Sequence, residues 1–157
     1  METENLSALI KDHPFLKNLD VKHLDTLLSC VSNVRFKEGD FLAQEGKPAD
    51  QFFLIRSGRI AIEINALERG TMRIQTVNQG DVLGWSWLIP PFKWRFDARA
   101  VEEVRAFALD GKCLRTKCDE HTDFGYQMLK RFSLIMAQRL EATRIQLIDI
   151  YGSGGGR

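Results

Sequence analysis

The chain has 157 residues, 44% of them apolar and 27% charged, enough for one domain with a core of its own. Its 22 basic and 21 acidic residues leave a formal charge of +1, so nothing global points to nucleic acid, an anionic membrane or an acidic substrate. No window reaches the ~18 consecutive apolar residues of a membrane span, and the amino end METENLSALIKDH lacks the basic and apolar regions of a secretory signal, so a cytoplasmic protein is expected.

The first elements read as a helical lead over residues 5–30, in which Asp20 is a candidate N-cap before Val21, Leu24, Leu27 and Leu28 at helical spacing. From Val34 the texture changes. Short β-rich runs are cut about every ten residues by turn signals such as Glu38-Gly39-Asp40, Glu45-Gly46-Lys47-Pro48, Ser57-Gly58 and Asn78-Gln79-Gly80. Ile60, Ile62 and Ile64 alternate with Ala61, Glu63 and Asn65, as a half-buried strand requires. A small β-barrel over 34–109 is therefore predicted, mainly β with flanking helices. Asp110 is placed to cap a helix to about Cys118, and a longer helix spans 122–151, completing a single domain over 1–151. Residues 152–157 read as a flexible tail.

Thirty helical residues at ~1.5 Å each span roughly 45 Å, more than a barrel of this size covers. Leu129, Met136, Thr143 and Ile150 recur every seven residues, so a homodimer through helix 122–151 is expected. Cys30, Cys113 and Cys118 form an odd set with no CxxC and are expected as reduced structural thiols.

The segment GDVLGWSWLIPPFKWRFDARA, residues 80–100, concentrates the candidate binding residues. Gly84 lets backbone approach a ligand, and the first amides of a following helical turn point free N–H groups at an anion. Leu83, Gly84, Trp85, Ser86 and Trp87 supply that element. Arg95, with Lys93 beside it, offers a cation to complete it, and an arginine adds a planar fork for two oxygens. Trp85, Trp87 and Trp94, with Phe92 and Phe96, either stack on a planar ligand or pack the barrel; for Trp87 and Phe96 the two are equally weighted.

The run Phe36-x-x-Gly39-Asp40, Gly46, Asp50-x-Phe52-Phe53-Leu54-Ile55-x-x-Gly58 and Gly80-Asp81-Val82-Leu83-Gly84, closed by a long helix, resembles the cyclic-nucleotide-binding domain over residues 15–150. The resemblance implies an eight-stranded, cupin-like jelly-roll barrel. It also implies a phosphate-binding cassette whose backbone amides and one arginine hold the cyclic phosphate, while a glutamate takes the ribose hydroxyl. Arg95 lies eleven residues after Gly84, where the catabolite-activator branch keeps that arginine. Counted from the following strand, Trp94 takes the place instead, and a one-residue slip turns a side chain to the other face. Trp85 stands where the family places its glutamate. A ligand hydroxyl left without that acceptor costs about 1–3 kcal/mol, roughly tenfold or more in affinity.

Catalysis is not expected. His13, His23 and His121 lie outside the predicted strands, and neither Cys113 nor Cys118 has a histidine at suitable spacing. No helix-turn-helix follows the long helix, so DNA binding by this chain is not expected. The reading is a non-catalytic sensory or regulatory module without cofactor or metal, holding an anionic or aromatic small molecule other than ordinary cyclic AMP or cyclic GMP. Its alternatives are a ligand-free scaffold whose pocket is filled by Trp85, and a genuine cyclic-nucleotide binder. A ligand would act by shifting how the last helix packs on the barrel.

Overall fold

The computed structural model describes residues 2–155, with side chains from Leu6 to Gly152. Helices α1 (Glu2–Ile10) and α2 (Val21–Leu28) lead into strands β1 (Val31–Phe36), β2 (Phe41–Ala43), β3 (Gln51–Ser57), β4 (Ile60–Ala66), β5 (Gly70–Val77), β6 (Val82–Leu83), β7 (Asp97–Ala100) and β8 (Val104–Asp110). Helices α3 (Gly111–Glu120) and α4 (Thr122–Gly155) close the order. The strands form two four-stranded antiparallel sheets, β1-β8-β3-β6 and β2-β7-β4-β5. This is the expected mainly-β barrel with flanking helices, its first strand beginning at Val31 rather than Val34.

The sequence of β3 explains how the layers stack. Phe52, Phe53, Leu54 and Ile55 are all buried, because side chains alternate across a strand and both faces of this sheet are covered. Phe53 and Ile55 point into the barrel with Ile60, Ile62, Leu83, Trp94 and Ala98. Phe52 and Leu54 point the other way, onto a second core shared with Phe15, Leu27, Trp87, Phe124 and Phe132. The first sheet therefore sits between the barrel interior and a helical layer. Gly58 ends β3 at φ +93°, where a Cβ would collide with the Glu103 carbonyl; only glycine suits that turn.

Asp110 caps α3 as expected, its carboxylate accepting the Cys113 N–H at 3.0 Å. Asp20 precedes α2 without a side-chain cap; its carbonyl accepts from His23 and Leu24. The helix α4 takes in Gly152–Gly155, which the sequence assigned to the tail; Gly156 and Arg157 lie outside the described residues.

The expectation of reduced thiols is corrected at two of the three cysteines. Cys30 and Cys113 are joined in a disulfide across 83 residues, their Cα atoms 5.8 Å apart. Residue Cys30 follows α2 and Cys113 opens α3, and the fold sets those two places side by side through the β1–β8 pairing. Only Cys118 is a free thiol, which burial pushes up to about 11. No described helix is long and apolar enough to cross a membrane.

Candidate functional site

The connection from Gly84 to Phe96, between β6 and β7, contains the residues singled out in the sequence. Gly84 is buried at φ +99°. After it, Leu88 N–H bonds to Trp85 O at 3.0 Å and Ile89 N–H to Ser86 O at 3.4 Å, a single tight turn. The rest of the connection is pinned to the turn after β2. Trp94 N–H donates to Lys47 O, Gly46 N–H to Trp94 O and Ala49 N–H to Phe92 O, at 2.9, 2.9 and 2.7 Å.

The three tryptophans of this connection go to three different places. Trp87 is fully buried in the helix-side core, stacked on Phe52 with centroids 5.0 Å apart and edge-on to Phe132 of α4 at 5.3 Å. Trp94 turns into the barrel. Its indole lies so close to Gly84 that an added Cβ there would stand 2.6 Å from Cη2. Arg95, next along the chain, is exposed, as is Lys93, and Arg95 has no side-chain hydrogen bond or ion pair among the described residues. Counting from the following strand thus gives the inward residue, and that residue is an indole.

Trp85 is half-buried and faces α4 rather than the barrel interior. The Arg139 guanidinium lies over its ring, 5.4 Å from the centroid. Arg139 also donates to Val82 O at 2.6 Å and to Gln75 Oε1 at 3.0 Å, tying α4 to β5 and β6. Burial pushes this guanidinium below its ordinary value, against a smaller opposing effect of Asp81. Trp85 and Arg139 border a cavity of about 430 Å³ whose walls include Ile62, Ile74, Phe96 and Met136. Its polar lining is Gln75, Arg139 and Thr143, and no carboxylate borders it.

A buried acid does stand nearby in sequence. Glu63 of β4 is held by Arg99 of β7 through two hydrogen bonds of 3.0 and 3.2 Å. It alternates with Ile62, whose side chain points into the barrel core, so its carboxylate is turned to the opposite face of the sheet. Leu83 and Ser86 are buried beside the turn. Among the described residues no group of three His, Cys, Asp or Glu side chains is placed to hold a metal.

Arg139 and Gln75 were not among the residues picked from the sequence. One signal was available: Arg139 lies three residues after Met136 and four before Thr143, a cation on an otherwise apolar helix face.

The chain's sequence matches the family model of the cyclic nucleotide-binding domain over residues 33–121. It is 26% identical over 117 residues to a CRP-like cAMP-activated global transcriptional regulator of Mycobacterium tuberculosis, covering 74% of this chain and 50% of that one. The chain thus spans about half the length of that curated relative. Its fold is similar to a cyclic nucleotide-binding domain from Methylobacillus flagellatus, with a TM-score of 0.77 at 16% identity over 94% of this chain and 83% of that one. The sensor domain of the transcriptional regulator DNR from Pseudomonas aeruginosa gives 0.70 at 20% identity, over 90% and 95%.

Proposed function

This chain belongs to the cyclic nucleotide-binding domain family, and from that premise we propose that it is a non-catalytic sensor for a planar, anionic small molecule other than cyclic AMP or cyclic GMP. The observation that carries the reading is the Trp85–Arg139 pair in a cavity bordered by no carboxylate. An indole face and a guanidinium recognise an aromatic anion by stacking and charge together. A ribose hydroxyl would find Gln75 and Thr143 but no acid to accept from it. Two readings compete with this one. A true cyclic-nucleotide binder is favoured by the mycobacterial relative's being cAMP-activated. A scaffold without ligand is favoured by Trp94, the indole that occupies the barrel beside Gly84, in place of the Trp85 expected to do so.

The signal leaves the site through α4. Arg139 borders the cavity and bonds to β5 and β6, while Trp87, two residues from Trp85, packs on Phe132. A ligand seated against Trp85 acts on two points of the helix, and differential affinity for two helix positions shifts their populations. The output surface is a homodimer seam along α4, which leaves Leu129, Leu140 and Leu147 between 51% and 64% exposed in a single chain. Such an apolar stripe is stabilised by a second copy of the same helix.

Calorimetric titration tests the reading. Cyclic AMP, cyclic GMP, indole-3-carboxylate and naphthoate are compared on the wild type, Arg139→Met and Arg95→Ala. An aromatic carboxylate is expected to bind more tightly than either nucleotide, with loss in Arg139→Met and affinity within about twofold in Arg95→Ala. Tight cyclic-nucleotide binding lost in Arg95→Ala would restore an ordinary cassette, and no binding of any probe would leave the scaffold.

A further inference from the structure

A second cavity, of about 550 Å³, lies where the Pro14–Phe15 turn and the connection between β5 and β6 face α4. Its α4 residues include Arg131, Ile135, Gln138, Ala142 and Gln146, a flank of the helix turned away from Leu140 and Thr143. Arg131 and Arg139 stand eight residues apart, two helical turns or about 12 Å along the axis. Both border this space.

Neither arginine has an ion-pair partner among the described residues. One terminal nitrogen of Arg131 donates to Phe15 O at 2.6 Å, and its Nε is buried without any hydrogen-bond partner. An orphaned buried donor on a charged group is costly, and proteins satisfy such groups almost without exception. The single carboxylate on the lining, Asp81, accepts the Asn78 N–H of its own turn at 2.8 Å. Two guanidinium groups against one engaged carboxylate leave the cavity net positive. Its volume falls in the range of small-molecule sites, ~300–1,000 Å³.

We infer that this cavity is a second ligand site, for a small multivalent anion carrying phosphate or carboxylate groups, with Arg131 as its anchor and Arg139 as its second cation. A guanidinium is a fixed charge with planar, directional donors suited to phosphate or carboxylate oxygens. Arg131 has spent one terminal nitrogen on Phe15, and its other terminal nitrogen has no partner among the described residues. The two cavities lie on either side of Arg139 and share it and Gln75 as lining, whereas Arg131 borders only this one.

The test uses the full chain, ¹⁵N-labelled, titrated in parallel with pyrophosphate and with citrate at constant ionic strength. Saturable shifts centred on the amides of Gly80, Asp81 and Arg131 are expected, with affinity reduced about tenfold or more in Arg131→Met. Arg131→Lys keeps the charge without the planar guanidinium and is expected to fall between them; it decides the matter should the methionine variant not fold. Whichever probe binds more tightly assigns the ligand to the phosphate or the carboxylate class. Linear shifts without saturation, or saturable binding with the same affinity in both variants, would overturn the assignment.

Discussion

The Arg139 guanidinium sits 5.4 Å from the centre of the Trp85 ring while donating to Val82 O and Gln75 Oε1, so one helix residue holds the indole, β5 and β6 together. Replacing it with methionine keeps the length of the stem but removes both hydrogen bonds and leaves the Val82 carbonyl without this donor. Urea unfolding of Arg139→Met should show a loss of about 1–3 kcal/mol. Trp85→Leu, which removes the stacking and none of those bonds, should cost less. Equal stability of Arg139→Met and wild type would mean that the guanidinium is not a tie between helix and barrel.

Gly84 and Trp94 should be strongly coupled. Alanine at Gly84 must adopt φ +99° and place its methyl against the Trp94 ring. The backbone strain is worth about 1 kcal/mol and the overpacking about 1–3 kcal/mol more. In a Trp94→Leu background the steric part disappears and the strain remains. A double-mutant cycle in urea should therefore return a coupling equal to that steric part, about 1–3 kcal/mol. Additive effects would show that the indole yields freely and does not fill the space beside Gly84.

How much of this was legible in the sequence differs between framework and site. The continuous run Phe52-Phe53-Leu54-Ile55 and the alternating Ile60, Ile62 and Ile64 are local patterns, set by which faces of a strand are covered. The Asp110 cap and the onset of the long helix are local as well. What each tryptophan does is not local. Trp85, Trp87 and Trp94 occupy one short irregular connection with no period to orient them; backbone bonds to Gly46 and Lys47 hold Trp94, while Trp85 meets Arg139 and Trp87 meets Phe52 and Phe132, all distant in sequence. The choice between Trp94 and Arg95 turned on one residue of register, which strand alternation resolves only once the partner strands are placed. The Cys30–Cys113 bridge depends on contacts between segments 83 residues apart, beyond anything spacing alone conveys.

That bridge should be felt in stability. Closing a loop of 83 residues restricts the unfolded chain by about 4–5 kcal/mol in the chain-entropy account. Unfolding in urea with and without dithiothreitol should show a large drop in midpoint on reduction, reproduced in Cys113→Ser without reductant. A Cys113→Ser chain as stable as the oxidised wild type would place the two thiols apart in solution.

The seam on α4 is testable without disturbing the barrel, because Leu129 and Leu147 are each 51% exposed and a charge there meets solvent in an isolated chain. Light scattering coupled to gel filtration should give a dimer for the wild type and a folded monomer for the double variant Leu129→Glu, Leu147→Glu. Circular dichroism of that variant should remain that of the parent barrel. A wild-type monomer at high micromolar concentration would remove the seam from the reading.

His13 adds a pH dependence that follows from its geometry. The ring is buried, with Nε2 3.2 Å from Ile55 O and Nδ1 accepting the Phe15 N–H at 3.2 Å. Both contacts are met at once only by the neutral tautomer that carries its proton on Nε2. Burial lowers the pKa from its ordinary 6.5, with the Ile55 hydrogen bond and the Asp81 charge opposing it. The unfolded chain therefore binds this proton more readily than the fold does, so stability rises with pH across the interval between the folded and unfolded values. The contribution is whole above about pH 6.5 and is lost as pH falls through the lower, folded value, where an added Nδ1 proton would confront the Phe15 N–H. Melting temperatures taken from pH 7.5 to 5 should fall more steeply for the wild type than for His13→Asn, whose amide oxygen keeps an acceptor near Phe15 and does not titrate. Parallel slopes for the two proteins would show that His13 is not the group that gains the proton in this range.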